Sequence, residues 1–287
     1  MMKRTLLLLS LLAVPCVVAS SKDDAVPGTT ATTVSPLDNF CNIMKLSGYS
    51  DKEIHIFRAG YEGDIATLGN LKNKDFIGIY CEGAATAGNK ELVMQCLDKG
   101  ADPDDGLLGA ALGGHMEIVK LMLSKGAYPD YGLKGAALGG HMEIVKLMLS
   151  KGADPDDGLW GAALGGHMEI VKLMLSKGAT NYNDGLAGAA YCGHVDIVQL
   201  LLDKGATDYN SGLSSAAWGG HMEIVQLMLD KGADPDYGLW GAALGGHMEI
   251  VKLMLDKGAT NLDSALKEAE SNGHTECAEF IRAAMRK

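Results

Sequence analysis

Basic residues are scarce in this 287-residue chain: 25 Lys and Arg stand against 36 Asp and Glu, a net charge of −11. A surface that acidic repels phosphate backbones, which sets nucleic acid and anionic lipid aside as partners. Proline is sparse as well, 7 residues against 38 glycines. The glycine excess is therefore not the proline-glycine bias of a disordered or collagen-like chain. Cysteine numbers only 6 and lacks the dense, even spacing of a disulfide-built scaffold, so most of these residues read as buried thiols. Missing altogether are a nucleophile with its base, a paired-carboxylate cleft and a glycine-rich phosphate loop behind a strand. The run GAALGG sits inside a helix, with no strand before it and no GK dipeptide after it. The expectation is a protein that is not an enzyme and carries no cofactor or metal.

Long apolar runs are confined to the beginning of the chain. Lys3 and Arg4 precede an apolar stretch from Leu6 to Val18, and the small residues Ala19, Ser20 and Ser21 follow. That is the pattern of a secretory leader. A membrane-spanning helix needs about 20 apolar residues, whereas Pro15 and the SSKDD segment cut this run short. Cys16 would suit lipid modification, but Pro15 stands where such sites carry a small residue. Residues 1–20 are thus expected to be a cleaved leader that exports the chain from the cytoplasm, to a secreted, periplasmic or lumenal space or into a host. Cleavage leaves 23 basic against 36 acidic residues, a net −13. No later segment is long and apolar enough to insert into a bilayer, and residues 21–36 read as a flexible linker.

What fills the remainder is self-similarity. GHMEIVKLMLSKGA occurs at Gly114, Gly140 and Gly166, close relatives begin at Gly193, Gly220 and Gly246, and weaker copies begin at Gly63, Gly88 and Gly273, spaced 25 to 27 residues apart. Each unit reads as two short helices. In the first, Leu107, Ala110, Ala111 and Gly114 share one face, small enough for a neighbouring backbone to come close. In the second, Ile118, Val119, Leu121, Met122 and Leu123 leave only Glu117, Lys120 and Ser124 for water. Gly126 ends that helix behind Lys125, and Asp104 or Asp105 is placed to cap a first helix. Helices of about ten residues are marginal alone, so stacking must supply the core. Residues 37–62 read as an N-terminal cap with the start of a degenerate first repeat, 63–266 as the repeats, and 267–287 as a capping repeat in which KEAESNG replaces the small-residue face. Cys81 and Cys96 fall on the two helices of one repeat and could be bridged in an oxidising compartment.

GLLGAALGGHMEIVKLMLSKGAD resembles the ankyrin pattern TPLHxAAxxGHxxIVxxLLxxGAD, and the likeness runs from about residue 51 to 287. The resemblance implies an all-α, ankyrin-type α-solenoid of about nine stacked helix pairs that binds other proteins. The family's TPLH opening is reduced here to one leucine (Leu107, Leu133, Leu159, Leu186, Leu213, Leu239), and the unit is 26–27 residues against about 33. Both losses fall on the segment that forms the projecting hairpin finger in the family, so truncated fingers are expected and contact should shift to the first helices.

Differences among the copies gather on that face. The residue after GL runs Leu108, Lys134, Trp160, Ala187, Ser214, Trp240, and the residue after the paired alanines runs Leu112, Leu138, Leu164, Tyr191, Trp218, Leu244. All three tryptophans lie in these columns, with Tyr131 and Tyr237 one turn earlier on the same stripe. The resemblance gives the second column a part in the contact surface, and aromatic residues are common interface hot spots. Tyr131, Lys134, Trp160, Tyr191, Trp218, Tyr237 and Trp240 are therefore the candidate partner-binding residues; the alternative is that they fill gaps between repeats.

The histidines from His115 to His274 recur once per unit, about 8–10 Å apart. That is too far for a shared metal, and each reads as bonding the turn beside it. The DPDDG and NYNDG turns lack the closing glutamate of a calcium loop. The expected function is a monomeric, exported protein-binding module; the alternative is a structural or spacer solenoid without a dedicated ligand, open to the influence of calcium.

Overall fold

The computed structural model describes residues 49–286 together with Leu37. The expected leader, the linker and most of the cap region before residue 49 lie outside the described residues. Among the described residues there are 18 helices and no strand, and the chain divides into two compact units at Thr180 and Asn181.

The first unit opens with α1 (Asp51–Glu62), whose Ser50 and Glu53 form a reciprocal capping box, then α2 (Ile65–Asn70). Helix pairs follow: α3 (Lys74–Thr86) with α4 (Lys90–Asp98), α5 (Pro103–Leu112) with α6 (Met116–Ser124), α7 (Pro129–Leu138) with α8 (Met142–Ser150), and α9 (Pro155–Gly165) with α10 (Met168–Ser176). The second unit holds α11 (Tyr182–Tyr191) with α12 (Val195–Lys204), α13 (Tyr209–Gly219) with α14 (Met222–Asp230), α15 (Pro235–Gly245) with α16 (Met248–Asp256), and α17 (Leu262–Ser271) with α18 (Thr275–Ala284).

The caps correct one expectation. Asp102 caps α5, accepting from the Asp104 amide, and Asp154 and Asp234 do the same for α9 and α15. Pro103, Pro155 and Pro235 take the first helical position, where a missing N–H is harmless, so the cap falls two residues before Asp104 and three before Asp105.

Within each unit, successive first helices pack on one another more closely than successive second helices do. Glycine makes this contact possible. A Cβ at Gly135 would lie 2.6 Å from the Leu108 carbonyl oxygen, and one at Gly161 would lie 2.7 Å from that of Lys134. Behind this seam, Leu107, Leu133 and Leu159 are fully buried with Met122, Met148 and Met174. In the second helices Ile118, Val119 and Met122 are buried while Leu121 and Leu123 are half-exposed.

Two ladders of polar bonds stitch neighbouring repeats. Histidine makes the first: Nε2 of His115 bonds the Thr86 carbonyl at 3.0 Å, His141 that of Leu112 at 2.9 Å, and His167 that of Leu138 at 3.0 Å. His247 and His274 repeat this in the second unit, on Trp218 and Leu244. A carbonyl only accepts, so Nε2 carries the proton. The histidines therefore reach back to the preceding repeat and not to the turn beside them. The second ladder is at the acidic turns. Asp104, Asp130 and Asp156 accept from the amides of Tyr128 (2.8 Å), Asp154 (2.9 Å) and Thr180 (2.6 Å). In the second unit Asn183, Asn210 and Asp236 serve Thr207, Asp234 and Thr260 in the same way.

Cys81 and Cys96 are buried, unbridged thiols in hydrogen-bond contact. Cys192 is disulfide-bonded.

Candidate functional site on the first-helix face

The candidate residues fall into two groups, one in each unit. In the first unit α7 carries Tyr131 and Lys134, and α9 carries Asp157 and Trp160. The Lys134 ammonium stands 4.9 Å from the centroid of the Trp160 ring and 3.7 Å from Asp157 Oδ1. Asp157 and Trp160 are three residues apart on one helix, hence neighbours on its surface, and together they hold the cation presented by the preceding repeat. Burial pushes the Asp157 carboxyl up and Lys134 partly offsets this. An ammonium over an indole contributes about 0.5–2 kcal/mol according to its exposure. Tyr131 is half-buried one turn before Lys134.

In the second unit, α11 and α13 bring Tyr191 and Trp218 together, their ring centroids 4.7 Å apart and the planes tilted by 59°. Burial raises the Tyr191 hydroxyl pKa. This ring contact links the first helices of adjacent repeats. Tyr237 and Trp240 on α15 differ: they are 49% and 37% exposed, whereas Trp160 and Trp218 are half-buried. Among the described residues no cation stands over Trp240.

Two further residues lie at or beside these helices. Asp157 completes the Lys134 contact, and Tyr128, at the turn before α7, is 67% exposed. Asp157 shares its column with Tyr131 and Tyr237, which was the signal available for it. Tyr128 stands where other copies have the capping aspartate, and that substitution was its signal.

The arrangement offers aromatic surface and carboxylates, the chemistry of recognition. The Cys81 thiol is no nucleophile: its hydrogen bond with Cys96 and its burial push its pKa well above the ordinary thiol value, away from the reactive thiolate. Residues 133–212 and 213–285 each match the family model described as ankyrin repeats (3 copies). No curated protein matches the chain significantly.

Proposed function

Because the chain belongs to the ankyrin-repeat family, we propose that it is a non-enzymatic protein-binding module that engages its partner through the first-helix face. The observation that carries this reading is the exposure of Tyr237 and Trp240 side by side on α15. Large aromatics left in water on a helix otherwise rich in glycine, alanine and leucine are suited to anchoring a partner. The sequence of residues 1–20 supports placing this binding outside the cytoplasm, after export.

A spacer role draws support from one specific contact. Tyr191 and Trp218 meet each other within the second unit, a contact that fits a packing role. The turn carboxylates Asp104, Asp130 and Asp156 accept amide bonds from the next repeat, which accounts for them without calcium.

Substitution separates the two roles. Tyr237→Ala with Trp240→Ala is expected to abolish capture of a partner from the exported fraction while shifting the unfolding midpoint by under about 2 °C, as surface changes usually do. Trp218→Ala is expected to lower that midpoint by several degrees, since a half-buried ring is removed. Capture undiminished in the double variant would leave the spacer role in possession.

A further inference from the structure

The two tryptophans after GL stand in the same register but in different company. Gly161 follows Trp160 and lies against the Lys134 carbonyl oxygen; Gly241 follows Trp240 and lies against the Ser214 carbonyl oxygen. Lys134 and Ser214 are therefore equivalent positions on the preceding first helix. In the first unit that position supplies an ammonium to Trp160 and Asp157. In the second unit it supplies a hydroxymethyl group too short to cover the indole, and Tyr237 stands where Asp157 stands. The cation-holding pair Asp157 and Trp160 is thus matched by an exposed pair of aromatic rings, Tyr237 and Trp240.

The first helices at and before the second pair carry charge of one sign, while on α17 Lys267 stands in the register of Trp240 among the more numerous carboxylates of Asp263, Glu268 and Glu270. The first-helix segments 181–193, 208–220 and 234–246 contain Asp184, Asp208, Asp234 and Asp236 and no lysine or arginine. The lysines of the second unit's intact repeats lie on or just after the second helices, as Lys204, Lys231, Lys252 and Lys257. A cation approaching Trp240 meets an attractive field on this face, and an indole flanked by a phenol is a good seat for it.

We propose that the Tyr237–Trp240 face of the second unit binds a basic segment of a partner protein, with a partner lysine or arginine taking over Trp240 the place that Lys134 takes over Trp160. This rests on the protein-binding reading above and adds the chemistry of the partner. It also predicts that the chain can be made to fill its own site: a lysine at position 214 should reach Trp240 as Lys134 reaches Trp160.

The test uses the full chain and a displayed library of random dodecapeptides. Peptides enriched on the chain are synthesised and their affinities measured against wild type, Trp240→Ala and Ser214→Lys, with the thermal midpoint of each variant recorded. Support consists of enriched peptides that carry lysine or arginine, that weaken at least tenfold in Trp240→Ala, and that weaken at least tenfold in Ser214→Lys, which keeps its fold because Ser214 is only half-buried. Peptides that need Trp240 but lack basic residues, or that Ser214→Lys leaves untouched, overturn the inference and leave the protein-binding face standing. If no selected peptide depends on Trp240, both fall.

Discussion

One methyl group is enough to force neighbouring repeats apart at Gly135. A Cβ there would meet the Leu108 carbonyl oxygen at 2.6 Å, and a backbone atom inside a stacked helix cannot swing aside as a side chain can. Gly135→Ala is therefore expected to cost about 3 kcal/mol, at the upper end of overpacking penalties, measured by chemical denaturation. Gly126 is a glycine for another reason: its φ is +93° and nothing stands within 4 Å of its missing Cβ. Gly126→Asn should cost under about 1 kcal/mol, since asparagine tolerates left-handed backbone. If the two variants lost equal stability, close approach would not be the reason for Gly135. Small residues at the seam were legible in the sequence through the i, i+3, i+4 pattern of Leu107, Ala110 and Ala111. The glycine that makes the backbone contact was not, because helical periodicity gives the face of a residue but not the atom opposite it. The histidines show the same limit: their period was plain, yet the carbonyl each one bonds lies 29 or 30 residues earlier, a register set only by stacking.

At the scale of elements, short turns hold the helix pairs together through side chains and not through a hairpin of strands. Asp130 reaches 24 residues along the chain to the Asp154 amide, joining the start of α7 to the turn that opens α9. Asp130→Ala would leave that amide without its acceptor and is expected to cost about 1–3 kcal/mol, with faster hydrogen exchange at Asp154 as the local signature. Asp130→Asn should keep most of the stability, because Asn183 and Asn210 perform the same task in the second unit. Equal losses in both variants would point to the negative charge and not to the acceptor oxygen. The acidic turns were visible in the sequence and so was their capping chemistry, but the work divides between two aspartates: Asp102 caps its own helix and Asp104 serves the next repeat. The aromatic columns divide in the same manner. Sequence placed Tyr191, Trp218 and Trp240 on one stripe, and only packing shows that the first two rings cover each other while Trp240 stays exposed.

Across the whole molecule the histidine ladder makes stability depend on pH in a definite direction. Burial is the largest influence on His167, His221 and His247 and lowers each from the ordinary value of 6.5, with the neighbouring histidine of the ladder acting the same way and the carbonyl bond opposing it. The folded chain therefore holds these rings neutral at pH values where the unfolded chain protonates them. Stability from this source is complete above pH 6.5 and is lost as pH falls through 6.5 toward the lower folded values. Carboxylates act elsewhere on the scale: Asp236, lowered by its bonds from Asn261 and Thr260, loses its contribution only in more acidic solution, below 3.8. Acidification also relieves the self-repulsion of a chain carrying −11, which works against the histidines. A variant separates the opposing effects. Wild type is expected to melt at a lower temperature at pH 5.0 than at pH 7.5, while His167→Gln, His221→Gln and His247→Gln together should flatten the profile, whatever they cost at pH 7.5. A triple variant that keeps the wild-type slope would place the acid sensitivity outside the ladder.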